Sequence, residues 1–293
     1  MVASGIWLSG QAPPAFRGGV DLVNVDVTVR DGQQRLIRDL GRSDFTVFED
    51  NRPQQVVHFQ PIGVPLAVAL LLDTSASMQE SMAAAQQAAV GFVDALSERD
   101  VASVVDFDSK VEIVQDFTGD RQALHEAIGR VHAGGSTSLY NAVYIALRGL
   151  ERQRAEPANL RRRAIVVLSD GEDTSSLLSF DEVLDTAVRS GIAIYAIGLG
   201  WRMSLPTVSA ERPGQYDLRR LAQQTGGRAF FPQQSTELAA LYRDILDELS
   251  HQYALAYQST NTARDGRYRR IAVRVERGGV TVRARPGYYG PSR

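Results

Sequence analysis

The chain reads Leu66-Ala-Val-Ala-Leu-Leu-Leu-Asp73-Thr-Ser-Ala-Ser77 where an apolar run meets a short polar segment. The apolar part does not alternate with polar residues, which is typical of a strand that a parallel sheet buries on both faces. Comparable runs recur at Val101–Phe107, Ile165–Leu168 and Ile192–Ile197. Helical patterns lie between or after these runs, at about 80–97, 120–131, 138–151, 180–190, 216–225 and 236–251. Strands that alternate with helices predict a doubly wound, mostly parallel α/β domain over about 64–251.

The two ends of the chain show a different pattern. Between positions 20 and 30, four valines alternate with polar residues, which predicts a half-buried strand, and further β segments follow up to residue 59. Near the C-terminus, apolar and charged residues alternate again before a turn at Gly278-Gly279. Two or three isolated strands cannot bury enough apolar surface to be stable alone. We therefore predict that residues 20–63 and 252–290 form one small antiparallel β-sandwich, into which the α/β domain is inserted.

Three polar loops are predicted to meet at one edge of the central sheet. The first loop follows the strand at 66–72, the second is Gly134-Gly-Ser-Thr137, and the third is Ser169-Asp170-Gly171. A hairpin strand near Val111–Phe117 returns the chain, so the helix before the second loop climbs to the same edge as the parallel strands. Open α/β folds bind their ligands at this carboxyl edge. The sequence therefore predicts a binding site there.

The side chains of these loops favour a hard cation. Two carboxylates and three hydroxyls, with no nitrogen or sulfur, suit Mg²⁺ or Mn²⁺ better than zinc or copper. Mg²⁺ keeps several waters in its octahedron, so such a site leaves a position for an incoming ligand. Ser136 competes for the hydroxyl position in the second loop. The predicted metal ligands are Asp73, Ser75, Ser77, Thr137 and Asp170.

The three loops also resemble a known site. Asp73-Thr-Ser-Ala-Ser-Met78, Gly135-Ser-Thr-Ser-Leu-Tyr140 and Leu168-Ser-Asp-Gly-Glu-Asp173 are similar to the three parts of the metal-ion-dependent adhesion site of von Willebrand A (VWA) and integrin I domains. In that family the first Asp, the two Ser, the Thr and the later Asp bind the metal directly or through water. The resemblance implies the Rossmann-like VWA fold and an intact metal site, and its spacing to Leu139 favours Thr137 over Ser136.

The flanking segments extend the resemblance to roughly residues 20–290. Val20–Asp31, Asp44–Asp50, Tyr253–Tyr257 and Val282–Tyr289 look like the corresponding parts of bacterial "VWFA-related" proteins found in acidobacteria and relatives. The resemblance implies an adhesion-type binding module. Such a module captures an Asp or Glu side chain of a protein partner at its metal and has no catalytic turnover.

Composition narrows the function classes further. A formal net charge of -2 provides no basic excess for nucleic acid or an anionic membrane. The lack of cysteine excludes disulfides and thiolate chemistry, and the four histidines lack metal-ligand spacing. No phosphate-binding Gly-x-x-x-x-Gly-Lys-Ser/Thr loop occurs. A haloacid dehalogenase-like phosphatase needs an aspartate at position 75, where Ser75 stands. We predict that the protein is not an enzyme; a metal-dependent hydrolase is a less favoured alternative.

The N-terminus bears on location. Residues 1–19 begin with small and apolar side chains and include Gly10-Gln11-Ala12, which suits signal cleavage, but no basic residue precedes Arg17. We interpret them as the remnant of an export signal or as a disordered terminus. With the resemblance, they predict an extracytoplasmic location: periplasmic, cell-surface or secreted. The alternative is a subunit of an intracellular ATPase or chelatase-type assembly that docks through the same metal site. No later apolar run approaches the roughly 18 residues of a membrane span.

Two further segments receive an interpretation. Trp201–Arg212 is predicted to be an extended loop on the metal-bearing edge and a candidate rim for partner contact, because exposed Trp and Met side chains anchor interfaces. The alternative is that this loop folds back onto its own domain. The basic run Arg161-Arg162-Arg163 is interpreted as a solvated loop.

Overall fold

A computed structural model describes residues 22–61, 63–153, 161–170, 172–199 and 213–292. In chain order the strands are β1 (Leu22–Arg30), β2 (Phe45–Glu49), β3 (Arg52–Gln54), β4 (Val56–Gln60), β5 (Leu66–Asp73), β6 (Val101–Phe107), β7 (Val111–Thr118), β8 (Arg162–Ser169), β9 (Ala193–Gly198), β10 (Ala229–Phe230), β11 (Tyr253–Gln258), β12 (Tyr268–Val275), β13 (Thr281–Arg283) and β14 (Gly287–Tyr289). The helices are α1 (Met82–Ala95), α2 (Arg121–Arg130), α3 (Leu139–Arg152), α4 (Phe180–Ser190), α5 (Pro213–Thr225) and α6 (Leu238–Ser250).

The central sheet has the strand order β10-β9-β8-β5-β6-β7. All its neighbours are parallel except β7, which pairs antiparallel with β6. Helices α1, α2 and α6 cover one face, and α3, α4 and α5 cover the other. The predicted doubly wound, mostly parallel α/β fold is confirmed, with helices close to their predicted positions. Strand β10 has only two residues and was not predicted.

The apolar run in β5 follows from this arrangement. All eight residues of the strand are buried. Leu66, Val68 and Leu70 pack against α1, α2 and α6, whereas the side chains between them pack against the opposite helical layer. Because successive side chains of a strand point to opposite faces, a sheet covered on both faces needs an apolar residue at each position.

Strands from the two ends of the chain share two antiparallel sheets, which together we call the β module. One sheet has the order β13-β1-β11-β4, and the other has the order β14-β12-β2-β3. Strand β1 pairs with β11 from Leu22↔Gln258 to Val27↔Tyr253, and β2 pairs with β12. The four alternating valines of β1 lie in a core shared by both sheets. The predicted antiparallel β-sandwich around the α/β domain is thus part of the confirmed fold.

The polar face of β1, which the sequence predicted to be exposed, is partly buried. Thr28 is buried, because this face packs against the α/β domain. The Gln252 side chain donates hydrogen bonds to Thr28 Oγ1 (3.1 Å) and to the Tyr195 hydroxyl (3.0 Å). Glu248 on α6 is 1% exposed and accepts a hydrogen bond from the same tyrosine hydroxyl at 2.5 Å. Its carboxylate also pairs with Arg30 at 2.9 Å and with Arg283.

The basic run is not a solvated loop, so that interpretation is wrong for its central residue. Arg162 is the first residue of β8 and is 5% exposed. Its guanidinium donates to the carbonyls of Leu249 (2.6 Å) and Gln252 (3.1 Å) and lies 3.1 Å from the Asp26 carboxylate. The last carbonyls of a helix have no partner within the helix, and Arg162 satisfies that of Leu249 in the last turn of α6.

These contacts place the β module at the amino edge of the central sheet. The module meets the first residue of β8 through Arg162, and Gly226 beyond α5 lies against Arg285. The carboxyl ends of β5 and β8 lie at the opposite edge, which the module therefore leaves open. Within the described ranges, no helix is both long enough and apolar enough to cross a membrane.

The ion pairs of Glu248 with Arg30 and Arg283 form a junction between the α/β domain and the β module, and this junction can be tested. We expect Glu248→Ala to lower the free energy of unfolding by about 3–5 kcal/mol, because Arg30 and Arg283 then lose their shared partner inside the protein. Chemical denaturation followed by circular dichroism measures this change.

The neighbouring Asp247 provides a matched control. It lies on the same helix, is 48% exposed and pairs with Arg38, which is 49% exposed. Because solvent screens such pairs, Asp247→Ala should change the free energy of unfolding by less than about 1 kcal/mol. Equal losses in both variants would contradict a special role for the Glu248 junction.

Candidate metal centre

The predicted ligands lie on three loops at the carboxyl edge of the central sheet. Asp73 is the last residue of β5, and Asp170 follows the neighbouring strand β8. Ser75 directly precedes a short 3-10 turn (Ala76–Met78) that contains Ser77 and leads to α1, and Thr137 lies two residues before α3. The buried side chain of Met78 anchors the turn in the core. The sequence pattern therefore brings these loops to one place.

Four of the five residues are joined by hydrogen bonds. The backbone N–H of Ser75 donates to Asp73 Oδ1 at 2.9 Å. The hydroxyls of Ser75 and Ser77 lie 3.0 Å apart, and Ser77 Oγ donates to Asp170 Oδ2 at 2.5 Å. Ser169 Oγ donates to Asp73 Oδ2 at 2.5 Å and so links the ends of β5 and β8. The side-chain oxygens of Asp73, Ser75, Ser77 and Asp170 thus form one cluster.

Backbone hydrogen bonds hold the loop of Thr137 next to the first and third loops. Its N–H donates to Thr174 Oγ1 at 3.0 Å, and its carbonyl accepts from the N–H groups of Thr174 and Ser175 at 2.9 and 3.0 Å. The first and second loops are tied by a bond from the Ala76 N–H to the Gly135 carbonyl at 3.1 Å. Among the described residues, no hydrogen bond links the Thr137 side chain to the other four.

The competing residue Ser136 points to a different contact. Both its N–H and its hydroxyl bond Ser109 Oγ at 3.2 Å, on the β6–β7 hairpin. The turn before it needs a glycine, since Gly135 has φ +75° and a Cβ there would lie 2.6 Å from Ser109 Oγ. The hairpin therefore occupies Ser136, which favours Thr137 as the hydroxyl for a metal.

Burial sets the electrostatics of the cluster. Asp73 is 1% exposed, and this desolvation raises the pKa of its carboxyl to about 6, although hydrogen bonds from Ser169 and Ser75 oppose the rise. The charge of Asp170 raises that pKa further. A buried carboxylate next to a second carboxylate favours a cation that offsets both charges.

The donor set fits a hard divalent cation with few charged ligands. Apart from backbone groups, the cluster offers only carboxylate and hydroxyl oxygens, which Mg²⁺ and Mn²⁺ prefer. No group of three or more His, Cys, Asp or Glu side chains is arranged as metal ligands in the described part of the chain. The two carboxylates of the cluster, Asp73 and Asp170, would therefore balance the charge of a divalent ion and not exceed it.

Several supporting residues were not predicted as part of the site. Ser169 and Thr174 orient Asp73 and the Thr137 loop, and Thr74 Oγ1 donates to Asp106 Oδ1 at 2.5 Å beside them. The position of Ser169, next to Asp170 at the end of a buried strand, was a usable sequence signal. The predicted rim Trp201–Arg212 lies outside the described residues, as does Gly171 of the third loop.

Comparison with known proteins adds the family context. The sequence matches the von Willebrand factor type A domain over residues 67–244, which is more than half of the chain. An uncharacterized protein of Borreliella burgdorferi is 25% identical over 161 residues, covering 54% of this chain and 46% of that protein. A "UPF0353 protein" of Mycolicibacterium paratuberculosis is 24% identical over 206 residues, covering 63% of this chain and 61% of its own. The chain thus spans less than two thirds of the length of these relatives.

Solved structures share the architecture. A von Willebrand factor type A protein from Catenulispora acidiphila aligns with a TM-score of 0.56 at 14% identity, covering 94% of this chain and 76% of its own. Proximal thread matrix protein 1 from the mussel byssus, "with zinc occupied MIDAS motif", aligns with a TM-score of 0.52 at 15% identity, covering 64% of this chain and 48% of its own. At these identities the likeness establishes the fold.

The buried Asp73 carboxyl gives a prediction for the protein held in EDTA. Its pKa of about 6 lies above the ordinary value of 3.8, so the folded state keeps this proton at a pH where the unfolded chain has lost it. Stability from this group is therefore present at low pH and is lost as pH rises through about 6. The Asp73→Asn variant has no titrating group at this position and therefore serves as the reference.

We expect wild type to lose stability relative to Asp73→Asn between about pH 4 and pH 7, by about 1–3 kcal/mol. Urea unfolding of both proteins in EDTA across this range measures the difference. A difference that stays constant with pH would show that Asp73 does not titrate as its burial requires.

Proposed function

Because this chain belongs to the von Willebrand factor type A domain family, we propose that it binds a protein partner through one Mg²⁺ or Mn²⁺ ion. Domains of this family often mediate metal-dependent protein interactions and are generally not enzymes. The proposed ligands of the ion are Asp73, Ser75, Ser77, Thr137 and Asp170. The proposed partner group is an Asp or Glu carboxylate.

One observation carries this proposal: the oxygens of Asp73, Ser77 and Asp170 converge in a single cluster although their loops are far apart in sequence. Ser77 and Asp170 are 93 residues apart, yet their side chains hydrogen-bond at 2.5 Å. Ser169 and Asp73, 96 residues apart, bond at the same distance. Close approach of two carboxylates is costly without a compensating cation. A metal ion supplies that compensation.

The chain's own residues would hold and orient the ligands. Ser169 and the Ser75 N–H fix the Asp73 carboxylate, while the turn anchored by Met78 presents Ser75 and Ser77. The bonds to Thr174 and Ser175 hold the Thr137 loop. When bound, the ion supplies an electrophilic centre that accepts a carboxylate oxygen in place of water. The mussel protein with its zinc-occupied motif supports a divalent ion on this fold.

Binding without catalytic turnover is proposed for the same site. The oxygens of the site are suited to metal binding. The histidine nearest to the second loop in sequence is His132, the candidate for a catalytic base; it is exposed, and its Nδ1 lies 2.5 Å from the Arg130 carbonyl. We also propose an extracytoplasmic location, which the flanking sequence resemblance supports. The position of the β module at the opposite edge of the sheet supports access of a partner to the loops.

The metal can be tested directly by calorimetry on the purified chain. We expect binding of one Mg²⁺ or Mn²⁺ per chain, because the five residues are proposed to be ligands of one ion. Asp73→Ala and Asp170→Ala should abolish it, and Thr137→Ala should weaken it about tenfold or more, since each removes a proposed ligand. Absence of divalent-ion binding by wild type would reject the site.

Ser136 supplies the matched control for the second loop. It lies next to Thr137, but its hydroxyl already bonds Ser109. Ser136→Ala should therefore leave the metal affinity within about twofold of wild type. Loss of binding in this variant, with binding retained in Thr137→Ala, would exchange the roles of the two residues.

Partner recognition is tested by affinity capture from envelope and medium fractions of the source organism. Capture should succeed in Mg²⁺ and fail in EDTA or with Asp73→Ala, because the carboxylate then has no ion to bind. Replacing the acidic residues of a captured partner by amides should abolish its binding. Binding that survives EDTA and these replacements would place recognition elsewhere on the chain.

A further inference from the structure

An exposed group of apolar and aromatic side chains lies beside the candidate metal centre. Its members come from the amino-terminal ends of α3, α4 and α5 and from the loop that follows Asp170. These helices begin at the carboxyl edge of the sheet, the edge that carries the proposed ligands. We call this group the apolar patch; it consists of Tyr140, Leu177, Phe180 and Tyr216, and Arg220 in α5 contacts two of its rings.

Exposure distinguishes this patch from ordinary surface. Leu177 is 94% exposed, the highest value among the exposed large hydrophobic side chains of the described residues, and Tyr216 is 49% exposed. Tyr140 and Phe180 are half-buried and pack against the core beneath α3 and α4. Single exposed apolar residues are common on proteins, but contiguous groups mark interaction sites. Ring contacts join the aromatic members, and Leu177 lies on the loop bonded to Asn141, next to Tyr140 in α3.

The ring contacts join three helices. The rings of Tyr140 and Phe180 meet edge to face at 5.8 Å. The Arg220 guanidinium lies 5.3 Å from the Phe180 ring centre and 5.8 Å from that of Tyr216. The Tyr140 hydroxyl donates to Asp217 at 2.7 Å, which fixes its ring. Aromatic and arginine side chains of this kind dominate the binding energy of protein interfaces.

The loop that carries Leu177 is held by hydrogen bonds. The N–H groups of Leu177 and Leu178 donate to Asn141 Oδ1 at 3.3 and 3.4 Å. The Asn141 N–H donates to Ser176 Oγ, and Ser176 Oγ donates to Asp173 at 2.7 Å. The leucine is therefore exposed on an ordered loop. Because the backbone of this loop is already held, binding through Leu177 has a smaller ordering cost than binding through a residue on an unbonded loop.

The patch is continuous with the candidate metal centre. The same loop donates two backbone hydrogen bonds to the Thr137 carbonyl, and Tyr140 lies three residues after Thr137. A partner segment whose carboxylate reaches the ion would thus have its neighbouring side chains over the patch.

Carboxylates surround both features and limit what the partner can carry. Asp106 and Asp108 lie on the β6–β7 side, and Asp181 lies beside Arg220 at 3.9 Å. Asp173 and Asp217 accept hydrogen bonds from Ser176 and Tyr140. A second acidic residue in the partner would meet these like charges away from the ion.

We propose that the partner is a protein segment with one metal-binding carboxylate and a nearby leucine or aromatic side chain that packs on the apolar patch. This inference rests on the proposed function, since the carboxylate needs the ion. It adds a specificity rule: one acid, an apolar neighbour and no further acid close by.

A library of random peptides displayed on phage tests this rule. Wild type is immobilised in Mg²⁺, and bound phage are eluted with EDTA and sequenced. Enriched peptides should carry one Asp or Glu and a leucine or aromatic residue at a preferred separation. Synthetic versions of these peptides should bind Leu177→Ser/Tyr216→Ser at least about tenfold more weakly than wild type. The Mg²⁺ affinity of this variant should be unchanged, because neither residue is a proposed ligand.

Leu22→Ser is the matched control, because Leu22 is 50% exposed but lies at the start of β1 in the β module. It should bind the peptides as wild type does. Acidic peptides without an apolar preference, or with equal affinity for the double variant, would overturn the patch and leave metal-dependent recognition standing. Failure to enrich any EDTA-eluted acidic peptide would overturn the proposed function together with this inference.

Discussion

The hydrogen bond from Ser169 to Asp73 is the interaction on which the candidate site depends. It joins the ends of two adjacent strands, β5 and β8, whose residues are almost entirely buried. Buried strands hold their ends rigidly, so a carboxylate placed there has a defined direction. The same position removes Asp73 from water and raises the pKa of its carboxyl to about 6. Position and desolvation together favour a cation at this edge of the sheet.

A second carboxylate, Glu248, has the opposite role at the other edge. It is as buried as Asp73, but Arg30, Arg283 and the Tyr195 hydroxyl surround it. The partners come from β1, β13 and β9, so one side chain ties both ends of the chain to the α/β domain. The surroundings differ for these two buried acids: arginines make a structural junction with Glu248, whereas hydroxyls and a second acid beside Asp73 favour a cation.

Much of the fold could be predicted from the sequence because its signals are local and periodic. Continuous apolar runs identified β5, β6, β8 and β9, and alternation identified the strands of the β module. The burial of Thr28 and Arg162 could not be predicted in this way. A local pattern predicts that a polar residue is exposed unless its hydrogen-bond partner is known. The partners of Thr28 and Arg162 are Gln252 and the end of α6, which lie far away in sequence. The expectation that polar residues are exposed therefore fails where the β module packs against the α/β domain.

By itself, the sequence determined the order of strands and helices and the residue types of the candidate site, because hydrophobic periodicity and loop chemistry depend on neighbouring residues. The spacing to Leu139 favoured Thr137 over Ser136, and the tertiary structure adds a contact that distinguishes the two hydroxyls. Ser136 and Thr137 are adjacent and chemically alike, yet the β6–β7 hairpin engages Ser136 through Ser109. The structure likewise decided that Tyr140, Phe180 and Tyr216 form one surface, since three helices separated in the chain start at the same edge of the sheet. Contacts between distant segments depend on packing, which no local pattern encodes.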